Sequence, residues 1–208
     1  MADQLYLSLW FPNFRLAALA PAIVGVVRQL SSAGAASPVT AAAVYPISWN
    51  EAPVYQRVYD EEETEAAQPE AAVTEAMEIL HEDCAYEFEL KWDLWVPEAG
   101  GGAEWSLDTK WRQEPRVVRV TGFGPEFDEG SYEQNGQIRI DFGSDAPFLQ
   151  EEVALEPETA ARVQQNVQKL VDVTQAIQKN LPVSSRLLWS ESGESLAEKL
   201  IARLQRLN

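Results

Sequence analysis

The segment YEFELKWDLWV, residues 86–96, gives the clearest indication of the fold. Apolar side chains occupy its even-numbered positions and mainly charged side chains occupy its odd-numbered positions. This is the two-residue period of a β-strand with one buried face. The alternation resumes in WSLDTKWR, residues 105–112, after the glycine-rich stretch 97–102. The two segments therefore predict a β-hairpin with one apolar face.

Charge predicts the register of this hairpin. Pairing residues whose numbers add up to 199 brings opposite charges together at three positions, whereas a sum of 201 brings like charges together at two. Each cross-strand ion pair contributes roughly 0.2–1 kcal/mol, so we expect the first register. Its pairs include Glu87–Arg112, Phe88–Trp111, Glu89–Lys110, Lys91–Asp108 and Leu94–Trp105.

The flanking sequence predicts further strands and helices. Strands are expected at 5–11, 39–47, 54–59, 116–123, 138–142 and 187–189, where apolar residues alternate or form short runs. Helices are expected at 14–30, 73–84, 157–181 and 196–207, where apolar residues recur three and four positions apart. We therefore expect one α+β domain over residues 1–208, with a mostly antiparallel twisted sheet and helices packed on one of its faces.

The first six predicted elements follow the order β-α-β-β-α-β, which is also the order of a ferredoxin-like unit. This order indicates a subdivision into a βαββαβ-like half, residues 1–96, and a half with further antiparallel strands and two C-terminal helices, residues 97–208. A shared order of elements bears on topology and carries no information about function.

The charge of the chain narrows its range of partners. Its 33 acidic residues outnumber 16 basic ones and give a formal net charge of −17. Nucleic acids and anionic membranes favour clustered Lys and Arg, so we expect neither as a partner. A protein with a basic surface is the expected partner, and the oligomeric state is left open. No segment is apolar and long enough to span a bilayer, and one cysteine forms no intrachain disulfide, so we expect a soluble cytoplasmic protein.

The only histidine, His81, and the only cysteine, Cys84, lie three positions apart. On the predicted helix 73–84 they would be neighbours, with Cys84 on the apolar stripe. Imidazole and thiolate groups supply much of the nucleophilic, general-base and metal-binding chemistry near neutral pH. With one of each, in an acidic segment, we expect a packed thiol rather than a catalytic pair, and we expect no metal site and no cofactor.

The segment 122–145 is the region where the sequence allows carboxylate chemistry. Asp128 and Glu129 lie in a glycine-containing loop, and Asp141 and Asp145 lie further along the segment. Two carboxyl groups held close together with different pKa values can act as general acid and general base, as in glycoside hydrolysis. These four residues are the candidate catalytic groups of a hydrolase.

Four aromatic residues are candidates for binding. By parity, Trp10 and Trp95 lie on the strand face opposite the apolar one, and Phe123 and Phe127 belong to the loop region 122–130. Aromatic side chains on an uncovered surface commonly form the contact points of an interface or line a ligand pocket. If helices cover only one face of the sheet, we expect Trp10 and Trp95 to mark the binding face.

Three functions are consistent with these patterns. The leading hypothesis is a non-enzymatic interaction module of the inhibitor, immunity or adaptor type, whose acidic surface binds a basic protein. It requires no missing catalytic group, and it predicts association that is sensitive to salt. The second hypothesis is a carboxylate-based hydrolase centred on residues 122–145. The third is a small-molecule binder with an aromatic pocket.

Overall fold

A computed structural model describes residues 3–34, 38–60, 62–78, 80–98, 110–150, 157–193 and 195–205. Its strands are β1 (Gln4–Trp10), β2 (Ala41–Pro46), β3 (Tyr55–Val58), β4 (Cys84–Pro97), β5 (Trp111–Phe123), β6 (Ile138–Ser144) and β7 (Ser185–Ser190). Its helices are α1 (Leu19–Gly34), α2 (Pro69–Ala76), α3 (Ser131–Gln134), α4 (Ala146–Leu149), α5 (Pro157–Asn180) and α6 (Leu196–Gln205). None of the helices in these described ranges is long and apolar enough to cross a membrane.

All seven strands form one sheet in the order β3-β2-β4-β5-β6-β1-β7, and every neighbouring pair is antiparallel. The expected α+β fold with an antiparallel sheet is therefore confirmed. The order β-α-β-β-α-β is present along the chain. However, β5 and β6 lie between β4 and β1, so the four strands of the expected ferredoxin-like unit are not contiguous in the sheet.

One face of the sheet carries the main hydrophobic core, to which α1, α2, α4, α5 and α6 contribute buried side chains. Gly122 of β5 permits a close approach of α1, because a Cβ atom there would lie 2.6 Å from Cδ1 of Ile23 and 2.9 Å from Cδ1 of Leu19. Among the described helices, only α3 contributes to the apolar cluster on the opposite face, through Tyr132. Most of that opposite face therefore has no helical layer formed by the described residues.

The predicted register of the hairpin is wrong. In the structure Phe88 lies opposite Val120, and paired residue numbers add up to 208. The predicted partners Trp105 and Asp108 lie outside the described residues, and the returning strand is β5, in which Val118 and Val120 are buried. Burying a valine side chain contributes about 1.5–3 kcal/mol, more than a cross-strand ion pair does, so the apolar end of β5 determines the register.

The predicted helix 73–84 is wrong in its second half, because α2 ends at Ala76 and Cys84 is the first residue of β4. Cys84 lies on the same strand face as Tyr86, so the strand alternation extends back to it. The expected packing role of Cys84 is confirmed: the thiol is free and buried, and burial together with the nearby Asp83 carboxylate raises its pKa to about 11. The backbone N–H of His81 donates to the Tyr86 hydroxyl at 2.8 Å.

Helix α5 covers the edge of β4 beyond the end of β2, which pairs with β4 only as far as Glu89. The side-chain oxygen of Asn166 accepts the N–H of Trp95 at 2.9 Å, and its side-chain nitrogen donates to the Trp95 carbonyl at 2.9 Å. Lys169 donates to the carbonyl of Asp93 at 2.7 Å. Side chains of a helix thus occupy the position that a neighbouring strand would otherwise take.

Candidate protein-binding surface

The four candidate catalytic carboxylates lie at three places along the sheet: a loop, a strand and a strand end. Asp128 and Glu129 lie in the loop after β5, where the N–H of Asp128 donates to the carbonyl of Ile47 at 2.8 Å. Asp141 lies within β6 on the face away from the main core, and Asp145 follows the far end of that strand. Because the seven residues of β6 span about 20 Å, the loop and Asp145 are at opposite margins of the sheet. Asp145 therefore does not form a carboxylate pair with Asp128 or Glu129.

Asp145 belongs to a buried ion pair with a structural role. Its carboxylate lies 2.8 Å from Nζ of Lys199 in α6, and the same ammonium lies 3.2 Å from the Asp3 carboxylate. Hydrogen bonds from Ser192 hold the pKa of Asp3 well below its ordinary range. Burial opposes the Lys199 charge, but hydrogen bonds to both carboxylates outweigh it and raise the Lys199 pKa. The cluster fastens α6 to the start of β1 and to the start of α4.

Phe123 and Phe127 are fully buried in a small apolar cluster on the sheet face opposite the main core. The ring of Trp49 packs edge-on against Phe127 with centroids 5.2 Å apart, and lies 5.0 Å from the ring of Tyr45. This cluster holds the β2–β3 connection and the 124–130 loop against the end of the sheet. The two phenylalanines therefore pack these loops and present no ring at the surface.

Trp10 and Trp95 are half-buried and are held by neighbouring groups. Trp10 donates from Nε1 to the carbonyl of Glu133 at 3.3 Å. The guanidinium of Arg162 in α5 lies 3.9 Å from the ring centroid of Trp95. Because β5 and β6 separate their strands, the two tryptophans do not form one continuous surface.

Arg139 occupies the middle of the uncovered sheet face. Its guanidinium carbon lies 5.2, 5.3 and 6.0 Å from the ring centroids of Tyr6, Phe123 and Trp49, respectively. Such cation–π contacts contribute about 0.5–2 kcal/mol each. The cavities of about 470 and 310 Å³ that lie beside the β4–β5 hairpin are lined by other residues, so none of these three rings forms part of either cavity.

Next to Arg139, the uncovered face carries a ladder of charges. Arg119 lies 2.8 Å from the Glu89 carboxylate and 4.0 Å from that of Glu87. Burial raises the pKa of Glu87, and the charge of Arg119 opposes this shift. Acidic and basic groups thus largely balance each other at the centre of this face.

At one end of the sheet three segments of the chain meet, and acidic side chains there are not balanced by basic ones. We call the following residues of these segments the acidic rim: Ile47, Glu82, Asp83, Glu126 and Asp128. The N–H of Ile47 donates to the Asp83 carbonyl at 2.7 Å, and the N–H of Glu126 donates to the Glu82 carbonyl at 2.8 Å. The N–H of Asp128 donates to Ile47, as described above. The segments 46–54, 80–84 and 124–130 contain no Lys or Arg. Negative charge is therefore concentrated around one apolar residue.

Ile47 is both exposed and conformationally strained. Its exposed fraction is 59% and its φ is 63°, a left-handed conformation that β-branched residues rarely adopt. Backbone hydrogen bonds to Asp83 and Asp128 on either side hold it there. Strain of this kind costs about 1–3 kcal/mol and is found mainly at functional sites. Val54, in the same β2–β3 connection, is 69% exposed.

Of the acidic rim residues, only Asp128 was among the site candidates predicted from the sequence. The other members lie far from it in the chain, and tertiary hydrogen bonds bring them together. One signal was available in the sequence: each of the three segments lacks Lys and Arg, although the chain contains 16 of them.

The described residues contain no group of three His, Cys, Asp or Glu side chains that could hold a metal ion. No protein-family model, curated protein or solved structure matches this chain. Within the part of the chain that the structure describes, the acidic rim combines an exposed apolar residue, acidic neighbours and backbone strain.

Proposed function

We propose that this protein is a non-enzymatic interaction module that binds a basic patch of a partner protein through the acidic rim. The observation that supports this proposal most directly is that the exposed, strained Ile47 is joined through its backbone to Asp83 and Asp128, two of the four acidic residues of the rim. Protein interfaces commonly combine an apolar centre that excludes water with a charged periphery. The complementary surface on the partner would carry Lys and Arg around an apolar depression.

The net charge of the whole chain adds to the attraction between the acidic rim and a basic partner. A net charge of −17 attracts a basic partner over long distances and speeds association. Because the Debye length is about 10 Å at 0.1 M salt, this attraction weakens as salt is added. The proposed complex should therefore form more slowly at higher ionic strength, while its apolar contacts at Ile47 and Val54 are affected less.

Binding requires no catalytic group. Cys84 is buried with a raised pKa, and Asp145 is paired with Lys199. The proposal includes a cytoplasmic location, supported by the single free thiol, which suits a reducing compartment.

The proposal is tested by capturing partners from an extract of the source cells and then measuring the affinity of the purified captured protein. The rim variant is Glu82→Gln/Glu126→Gln/Asp128→Asn. The control variant, Glu62→Gln/Glu158→Gln/Asp172→Asn, makes the same change in net charge at exposed positions elsewhere. We expect the rim variant to lose at least about tenfold in affinity, roughly 1.4 kcal/mol, and the control to lose much less. Equal losses in the two variants would contradict a site at the rim.

A second variant separates the apolar contact from charge. Ile47→Gly removes the exposed side chain and places a residue that adopts positive φ freely. We expect the free energy of unfolding to rise by about 1 kcal/mol, because the strain is relieved, while affinity for the partner falls. Thermal unfolding and binding measured on the same sample check the two opposite effects, and unchanged affinity would show that Ile47 is not part of the interface.

A further inference from the structure

A groove of about 470 Å³ lies beside the β4–β5 hairpin, away from the acidic rim. Its floor includes the buried apolar side chains Val96 and Phe142. Three charged residues of β5 line its wall: Arg112, Glu114 and Arg116. An apolar floor with a few convergent polar groups is the usual composition of a ligand-binding groove.

The three charged residues occupy positions where the strand pattern favours apolar side chains. Their β4 partners are Val96, Leu94 and Trp92, all buried, on the face that elsewhere forms the main core. Charged residues are rarely placed on such a face without a function or a partner that compensates for them. The departure from the pattern therefore marks this wall as a candidate binding site.

The wall keeps hydrogen-bond donors available for an anion. Two separate oxygens of the Glu114 carboxylate contact the arginines, at 3.0 Å from Arg112 and 3.2 Å from Arg116. Each guanidinium has five N–H donors in a planar fork, so each retains several for a further carboxylate. The arginine side chains are 59% and 46% exposed. The trio has a net positive charge in a strongly acidic chain.

Beside this wall, β5 has a backbone edge that β6 does not cover. The β5–β6 ladder runs only from Arg119 to Gly122, and β6 changes register against β1 before Ser144, where Gly143 has a φ of 73°. Among the described residues no β5–β6 pair follows Arg119–Asp141, although a Cβ atom at Gly143 would lie 3.9 Å from the Val117 carbonyl oxygen. On the side of β5 away from β4, residues 111–116 therefore have no paired strand among the described residues.

The hydrogen bonds of β5 show which of its backbone groups face the side away from β4, where it has no paired strand; we call this side the gap. The N–H of Glu98 in the β4 chain donates to the Lys110 carbonyl, so even-numbered residues of this strand bond toward β4. The N–H of Phe123 donates to the Gln137 carbonyl, so odd-numbered residues bond toward β6. Peptide groups point to alternate sides along an antiparallel strand. The N–H and C=O groups of Gln113 therefore face the gap.

We infer that this groove binds an extended acidic peptide segment of a second partner, which adds as a strand to the free edge of β5 and places carboxylates on Arg112 and Arg116. Strand addition supplies the main-chain hydrogen bonds, and the arginines supply selectivity for acidic side chains. Arg112 and Arg116 are four residues apart on one strand face, about 13 Å, which matches carboxylates four residues apart on the added strand. This site is independent of the acidic rim, and a chain with both sites would act as an adaptor.

The test uses the whole chain and the synthetic peptide acetyl-Thr-Glu-Val-Thr-Val-Glu-Thr-amide, with its lysine-for-glutamate counterpart as control. Isothermal titration is expected to show binding of the acidic peptide and none of the basic one. Arg112→Gln/Arg116→Gln should weaken binding by roughly tenfold or more, since charge-assisted hydrogen bonds are lost. The control is Arg28→Gln, which removes one exposed arginine that is paired with Glu70 on another part of the surface.

Two further variants test strand addition separately from charge. Gln113→Pro removes an N–H that faces the gap and leaves the β4 ladder intact, whereas Gln113→Ala keeps that N–H. We expect the proline variant to lose peptide binding and the alanine variant to retain it. Retained binding in the proline variant would overturn strand addition, and failure of the acidic peptide to bind the unaltered protein would overturn the site.

Discussion

The two edges of the β4–β5 hairpin are protected in different ways. Along β4, Asn166 and Lys169 of α5 form hydrogen bonds with the backbone of Trp95 and Asp93. On the side of β5 away from β4, no strand among the described residues pairs with 111–117, and this edge carries Pro115, which has no N–H to donate. One edge is closed by buried polar side chains, and the other remains accessible.

This difference shows how one hairpin can combine stability with recognition. An open edge attracts other strands without selectivity, and proteins limit this with proline and charged side chains. Asn166 prevents other strands from pairing with this edge of β4. Its amide donates to the carbonyls of Pro147 and Trp95 and is almost completely buried. On β5 the charges and the proline restrict pairing, so that a ligand of suitable charge is favoured over an arbitrary strand.

The largest expected change in the free energy of unfolding comes from removing the side-chain hydrogen bonds along the β4 edge. Asn166→Leu keeps the side-chain volume but leaves the N–H and C=O of Trp95 and the carbonyl of Pro147 without their partner. We expect the free energy of unfolding to fall by about 3 kcal/mol, as measured by urea denaturation. Gln165→Leu, at the neighbouring exposed position of α5, is the control. A loss below about 1 kcal/mol would mean that Asn166 does not close the edge.

A smaller loss of stability is expected when Lys169 is replaced. Lys169→Met removes the hydrogen bond to Asp93, and relief of the buried charge partly offsets the loss, so we expect a destabilisation of about 1 kcal/mol. Burial lowers the Lys169 pKa, and the unfolded chain therefore binds more protons in the alkaline range just below the ordinary lysine pKa. This group makes the free energy of unfolding rise with pH through that range. The rise should persist in the exposed control Lys179→Met and disappear in Lys169→Met.

Removing the arginine charges along the β5 edge should change the stability of the protein little. The arginine side chains in the groove are largely exposed, and exposed ion pairs contribute about 0–1 kcal/mol. We expect Arg112→Gln/Arg116→Gln to lower the free energy of unfolding by less than about 1 kcal/mol in the same urea experiment. A loss as large as that of Asn166→Leu would show that the two edges do not differ in their contribution to stability.

The smallest expected change in stability is that of Pro115→Val. The substitution restores an N–H at the open edge and leaves the β4 ladder intact, so we expect a change below about 0.5 kcal/mol. Self-association should nevertheless increase, because the edge gains a donor for another strand. Sedimentation at several protein concentrations measures this effect, with Pro53→Val in the exposed β2–β3 connection as the control.

Much of the fold could be predicted from local periodicity. The alternation in β1, β4 and β6 and the apolar stripes of α1 and α5 correctly indicated an α+β chain with an antiparallel sheet. The hairpin register failed because the prediction weighed ion pairs and assumed apolar partners throughout. In the structure, burial of Val118 and Val120 fixes the register, and charged residues face the apolar side of β4 at the other end of β5.

The binding surfaces were less accessible to sequence reasoning. The acidic rim depends on backbone hydrogen bonds between Ile47, Asp83 and Asp128, which lie in three separate segments. Such contacts have no local periodicity. The groove depends on the end of the β5–β6 ladder at Arg119, which alternation alone does not reveal. Asp145 illustrates the converse case: a carboxylate selected for chemistry proves to be an anchor for Lys199.

The buried thiol of Cys84 can report on the acidic rim through its reaction with a thiol reagent. The carbonyl of Cys84 accepts the N–H of Gly124 at 2.8 Å, so the first residue of β4 is coupled to the 124–130 loop. A thiol that is 5% exposed and has a pKa of about 11 reacts with disulfide reagents chiefly when this contact opens. The rate of thiol exchange under native conditions therefore reports the free energy of local opening at the rim, and a partner bound there slows the exchange.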